Sequence, residues 1–270
     1  LVGSEMCIRD SDYCWRAAYR AGLGQFDRAL EDARTVFAIA DSARNTGMMG
    51  VARQVEGYVL FEAGRLGEAR ELFRSGYFVQ GWNLELRPST ATYRELYLGL
   101  LDLASDDIPS AREAAARLRE LLPAVRSGSS VYGMSVANWL ALLEAEILLA
   151  EGRPGDAARR IERGFELRVP SNSPELFYTN VPFTQDVLAR AYEAKGDIGR
   201  AIAEYRRLLT FDPAGKDRRL LNPRYEYRLA KLLERQGRAA EALEHYERFL
   251  ELWKDADPGL PELLDAEAVS

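Results

Sequence analysis

A glycine followed five residues later by an alanine returns along the length of this chain. The pairs are Gly24/Ala29, Gly64/Ala69, Gly152/Ala157, Gly196/Ala201 and Gly237/Ala242, with Asp106/Ala111 in the third place. Successive alanines stand 40, 42, 46, 44 and 41 residues apart by subtraction. Seven residues before each turn position lies a further small residue: Ala17, Gly57, Gly99, Ala145, Ala189 and Ala230. Small side chains on facing helices let two backbones approach closely, so the spacing predicts helical hairpins with a turn at each glycine. One such pair is too short to bury its apolar face alone, and copies must stack. The expected fold is all-α, a right-handed solenoid of about six antiparallel helix pairs with long, irregular connections between repeats.

The clearest copy is Leu188–Pro213, two short helices joined at Gly196-Asp197 and stopped by Pro213. From Ser11 onward no alternating Val/Ile/Thr run bounded by hairpin turns is present, so strand signals are missing. Clusters of Pro, Gly and Ser mark candidate linkers at Arg74–Ser89, Pro123–Ser130, Val169–Pro182 and Phe211–Asn222. Asn222-Pro223 reads as a helix start, because Asn caps and proline is tolerated in a first turn. Pro109 and Pro154 are expected in the same first-turn role.

These residues resemble a tetratricopeptide repeat. The fifth copy carries Leu188, Ala189, Tyr192, Gly196, Ala201, Tyr205, Leu208 and Pro213 at the family's signature places. The sixth carries Leu229, Ala230, Leu233, Gly237, Ala242, Tyr246 and Phe249. Copies one to four keep the small-residue contacts but lose other marks: Asp106 replaces the turn glycine in the third, and Gly76 and Gly164 fall in the second helices of the second and fourth. The resemblance covers Asp12 to Pro258, with a repeat longer than the usual 34 or so residues.

The resemblance implies that the first helix of each copy lines an inner, concave wall. Carried over by position, that wall includes Gln54, Tyr58, Tyr93, Tyr97, Leu100, Trp139, Glu146, Arg190, Arg224, Tyr227, Lys231 and Arg235. Its middle is aromatic, which suits peptide binding because aromatic rings offer large area with few rotors. The other reading is that Tyr93, Tyr97 and Trp139 fill space between helices. Arg224, Lys231 and Arg235 share one helical face and suit an acidic peptide or a terminal carboxylate. The competing reading is neutralisation in cis by Glu262, Asp265 and Glu267. The family's clamp for a terminal carboxylate needs Asn residues that are not found at the matching places, so that activity is not carried over.

Composition narrows the functional classes. A net charge of -6 disfavours bulk nucleic-acid binding, and a basic group of Lys216, Arg218, Arg219, Arg224 and Arg228 is interrupted by Asp217 and Glu226. No apolar run approaches the roughly 20 residues that span a bilayer. Cys7 and Cys14 are too few for a disulfide framework, and the single histidine, His245, sits beside Glu244 and Glu247 and reads as solvated surface. No phosphate loop, metal-ligand spacing or nucleophile elbow is present; neither catalysis nor a cofactor is expected.

Residues 1–11 show no periodic face and are similar to a translated adapter at the end of a broken, metagenomic reading frame. Residues 12–258 are read as the repeat array, and 259–270 as the start of a capping helix, truncated. The expected function is a non-catalytic scaffold that binds a protein or peptide segment in its groove, acidic towards the last copy. The alternative is a sensor or regulatory region of a larger bacterial kinase, cyclase or transcriptional regulator, resembling the closing repeats of such proteins. The expected compartment is the cytoplasm, unless a membrane helix lies upstream.

Overall fold

The computed structural model describes residues 2–75, 88–128, 130–163, 185–210 and 222–269. Thirteen helices lie among them, and no strand. They are α1 (Val2–Gly22), α2 (Phe26–Ser42), α3 (Thr46–Glu62), α4 (Leu66–Arg74), α5 (Pro88–Leu103), α6 (Ile108–Gly128), α7 (Ser130–Ala150), α8 (Pro154–Glu162), α9 (Val187–Ala194), α10 (Ile198–Leu209), α11 (Arg224–Arg235), α12 (Ala239–Leu252) and α13 (Pro261–Glu267). The chain is therefore all-α, and its first twelve helices form the six hairpins that the glycine spacing predicts.

One local device closes every hairpin. Gly24, Gly64, Gly152, Gly196 and Gly237 all have φ between 70° and 79°, and Asp106 takes φ 57° in the third copy. In this left-handed conformation the next residue's N–H reaches back five positions, capping an orphaned helix carbonyl. Gln25 donates to the Arg20 carbonyl, Arg65 to Leu60, Asp107 to Asp102, Arg153 to Leu148 and Asp197 to Tyr192, each at 2.9 Å, and Arg238 to Leu233 at 3.0 Å. Asp106 shows why glycine is not obligatory: Asp and Asn are the side chains that tolerate this region best.

In five of the six hairpins the second helix begins with one of two chemistries; in the first, Gln25 stands at the cap without a side-chain cap bond. Asp107 Oδ1 accepts from Ser110 N, and Asp197 Oδ1 from Arg200 N, as ordinary N-caps. In three other copies the cap position is arginine, paired to an acid three residues on: Arg65–Glu68 at 2.6 Å, Arg153–Asp156 at 2.7 Å and Arg238–Glu241 at 2.6 Å. The acid thus lies in the first helical turn, where the helix dipole favours negative charge.

The small residues sit where the two helices of a hairpin meet. Ala17, Ala145, Ala189 and Ala230 are fully buried, as are the matching Ala29, Ala69, Ala111, Ala157 and Ala201, with Ala242 nearly so. At Gly57 the approach is closest, since a Cβ there would lie 2.5 Å from Phe73 Cζ.

Pro109 and Pro154 occupy first-turn positions, and Asn222 Oδ1 accepts from Arg224 N at 3.0 Å, as read from the sequence. The linker expected at Pro123–Ser130 is different: α6 runs through Pro123 to Gly128. Pro123 lies on the exposed side, while Leu118 and Val125 are buried on the other. Their packing holds the helix through a residue that forfeits one backbone bond. The other candidate linkers fall wholly or mostly on residues 76–87, 164–184 and 211–221, outside the described residues, as do Gly76 and Gly164.

The chain divides into two compact units: Leu1–Ala21 with Gln25–Leu140, and Gly22–Gly24 with Ala141–Ser270. The first holds a buried ring cluster, Phe73 stacked on Tyr97 at 5.0 Å between centroids and Tyr93 tilted against Tyr97 at 4.7 Å. Its buried acids each meet arginine: Asp32 with Arg16 and Arg20, Glu56 with Arg34 and Arg53, Glu95 with Arg94 and Arg117, and Asp102 with Arg70. The second has an aliphatic and aromatic core that runs from Ala141 to Ala266 and includes Leu229, Leu233, Tyr246, Phe249 and Trp253.

Candidate interaction surface

The place six residues before each turn carries Ala18, Tyr58, Leu100, Glu146, Arg190 and Lys231 in successive copies. The first three are apolar and buried. The last three are charged: Glu146 is mostly buried, whereas Arg190 and Lys231 remain partly exposed. One position in the repeat thus changes from apolar core to charge between the third and fourth copies, and its exposure grows from Glu146 to Lys231.

In the first unit, the aromatic wall expected at Gln54, Tyr58, Tyr93, Tyr97, Leu100 and Trp139 is closed: all six side chains are buried, at 5% exposure or less. The physical reason is Gly57, which admits the Phe73 ring against α3, where Tyr97 stacks on it. Tyr93 meets Trp139 edge-on at 5.8 Å and donates to the Gln54 carbonyl at 3.3 Å. These residues fill space between helices, the second of the two readings.

In the second unit, first-helix residues form a charged ladder. Arg190 on α9 grips Glu146 at the end of α7 with two nitrogens, one bond being 3.0 Å. Its Nε also donates to Asp186 at 3.1 Å. Asp186, fully buried, accepts from Tyr205 Oη at 2.9 Å and pairs with Arg228 of α11. Burial alone would push the Asp186 carboxyl up, but the Arg228 and Arg190 charges and the Tyr205 hydroxyl hold it down at about 2. The Tyr205 phenol is driven well above its ordinary range by burial and by the Asp186 charge.

The sequence does not single out Asp186. The signal it offers is an acid four residues before Arg190, one helical turn away.

The basic stripe on α11 meets the cap in cis. Arg224 Nε lies 3.1 Å from Glu262, and Lys231 Nζ lies 3.0 Å from Asp265, both acids being on α13. Tyr227 Oη also donates to Asp265, at 2.8 Å. Arg235 pairs instead with Glu193 of α9. Glu262 and Asp265 thus act as the competing reading anticipates, and Glu193 takes the third place.

His245 is not solvated surface: its side chain is mostly buried and Nδ1 lies 2.5 Å from Glu226. Adjacent helices α11 and α12 bring the two together across their hairpin. Cys14 is buried. Of the basic group weighed for nucleic acid, Lys216, Arg218 and Arg219 fall outside the described residues, whereas Arg224 and Arg228 face carboxylates. No helix among the described residues is long and apolar enough to cross a membrane.

Helical hairpins with a left-handed turn residue and small residues at the crossing define a helical-repeat protein. The family model for the tetratricopeptide repeat matches residues 187–261, from α9 to the first residue of α13, and this stretch consists of tetratricopeptide repeats. The four earlier hairpins share its left-handed turn residue and the buried alanine five residues after it. No curated protein matches the chain.

Proposed function

We propose that the chain is a non-catalytic scaffold for protein–protein interaction and that its working face is the charged first-helix row of the second unit. Tetratricopeptide repeats generally mediate such interactions, and residues 187–261 belong to that class. The observation that carries the reading is the change at one repeat position from buried, apolar Tyr58 and Leu100 to charged Glu146 and then to the partly exposed Arg190 and Lys231. Exposed charge on a preformed face serves recognition: it selects partners and sets encounter rates. The core beneath is packed, so little order has to be gained on binding. Arg190, Lys231 and Arg235 are each paired within the chain, but Lys231 and Arg235 keep 40% and 54% of their side-chain surface in solvent, so acidic side chains of a partner segment compete for them with Asp265 and Glu193.

The test is selection of linear peptides against the immobilised full chain, followed by affinity measurement with the wild type and with Arg235→Glu. Enriched acidic sequences whose binding falls at least tenfold in the variant support the reading. Failure to enrich any sequence, or equal binding to the variant, removes it.

A further inference from the structure

The helix α13 is short and only lightly buried. It is seven residues long, and Ala266 alone of its side chains is fully buried. Leu260 and Leu263 reach the core only in part, while Leu264 is 55% exposed. An isolated helix of this length does not persist in water, so α13 depends on what it touches. Much of that is polar: Asp265 to Lys231 Nζ at 3.0 Å and Tyr227 Oη at 2.8 Å, and Glu262 to Arg224 at 3.1 Å. Lys231 and Asp265 keep 40% and 43% of their side-chain surface in solvent, so water and salt compete for the pair.

The two carboxylates stand three residues apart and flank Leu263-Leu264. Opposite them, Arg224, Tyr227 and Lys231 lie along one face of α11 at spacings of three and four. This is a complementary pair of surfaces in which one member is held weakly and is tethered through Pro258-Gly259, where Gly259 takes φ 81°.

We infer that the Arg224–Tyr227–Lys231 stripe is a docking site for an acidic helical segment of the form Glu-Leu-Leu-Asp, and that α13 is its displaceable occupant in cis. An external partner of the same chemistry replaces α13, and the measured affinity is lowered by the small fraction of chains in which the stripe is open. The partner class is fixed by the contacts α13 already makes: carboxylates at i and i+3, with leucine between them. The inference rests on the second unit being an interaction module and adds which end of its face is gated, and by what.

The experiment uses the full chain and a fluorescent synthetic peptide of residues 257–270 added in trans, read by anisotropy at low salt. In Glu262→Gln with Asp265→Asn, the cis occupant is weakened and the peptide is expected to bind at least tenfold tighter than to the wild type. Adding Lys231→Glu to that double variant is expected to abolish the gain. Hydrogen exchange supplies a check free of the peptide: α13 amides in the wild type should exchange at least tenfold faster than those of α12, and faster again in 1 M salt. Equal peptide binding by wild type and double variant overturns the inference, as does binding that survives Lys231→Glu. So does an α13 as protected as α12. If peptides from selection bind in an Arg235-dependent way while the α13 peptide does not, the scaffold reading stands and the gate alone falls.

Discussion

The Tyr205 hydroxyl donates to Asp186 at 2.9 Å, joining the second helix of the fifth hairpin to a carboxylate that both Arg190 and Arg228 also reach. Three elements thus meet at one fully buried charge. An ion this deep stabilises only while its partners remain, and removal of one side leaves the others uncompensated. Asp186→Asn is expected to cost about 3 kcal/mol in urea unfolding, and Tyr205→Phe about 1 to 2 kcal/mol. The double variant should cost less than the sum, because both changes act on one network.

The same carboxylate makes stability depend on acid. Its folded pKa, about 2, lies below the ordinary 3.8, so its contribution is present above about pH 4 and is lost as pH falls towards 2. Linkage puts that contribution at about 2 kcal/mol. The stability gap between wild type and Asp186→Asn, followed by urea titration from pH 7 downwards, should therefore narrow between about pH 4 and pH 2. A gap that stays constant through that window would show that Asp186 carries no depressed pKa.

Two glycines separate the two reasons a repeat keeps the residue. At Gly196 nothing lies within 4 Å of an added Cβ, so only the φ of 79° resists substitution. Gly196→Ala is expected to cost about 1 kcal/mol, the left-handed penalty. At Gly57 the backbone is ordinary helix, but the new methyl would meet Phe73 Cζ at 2.5 Å. Gly57→Ala should cost about 2 to 3 kcal/mol by overpacking, and Phe73→Leu in the same chain should restore part of that loss. No comparable rescue exists for Gly196→Ala.

The hairpins were legible in the sequence because each depends on residues within about a dozen positions of one another: the turn glycine, the small residue seven before it and the alanine five after it. Asp106 remained readable for the same reason, since its neighbours keep their spacing. The wall was harder to read. Whether Tyr97 faces a partner or a neighbour depends on Phe73, which enters only because Gly57 lacks a side chain, and this contact between hairpins leaves no periodic trace. For Arg224 and Lys231 the sequence leaves two readings open, a partner or the acids of α13 more than thirty residues on, and only the packing of α13 places Glu262 and Asp265 beside them. Asp186 lies just before the helix that carries Arg190, where position in the repeat gives no cue. His245, flanked by glutamates, looks exposed until Glu226 is placed across the hairpin.

Burial of the aromatic cluster changes how the scaffold has to be probed. Tyr97 and Trp139 together would be the natural pair to truncate if they lined a groove. As core residues, each should cost about 3 to 5 kcal/mol on truncation to alanine, enough to unfold a unit of ordinary stability. Tyr97→Ala with Trp139→Ala is thus expected to lose cooperative unfolding and helical circular dichroism, and any loss of binding would report on folding. Arg235→Ala is the cleaner probe. Its pairing with Glu193 is more than half exposed on the arginine side, and exposed pairs contribute about 0 to 1 kcal/mol. The urea midpoint should barely move, while affinity for a selected acidic peptide falls at least fivefold and its salt dependence weakens. A large stability change with unaltered affinity would place Arg235 in the structural ladder and remove it from the binding face.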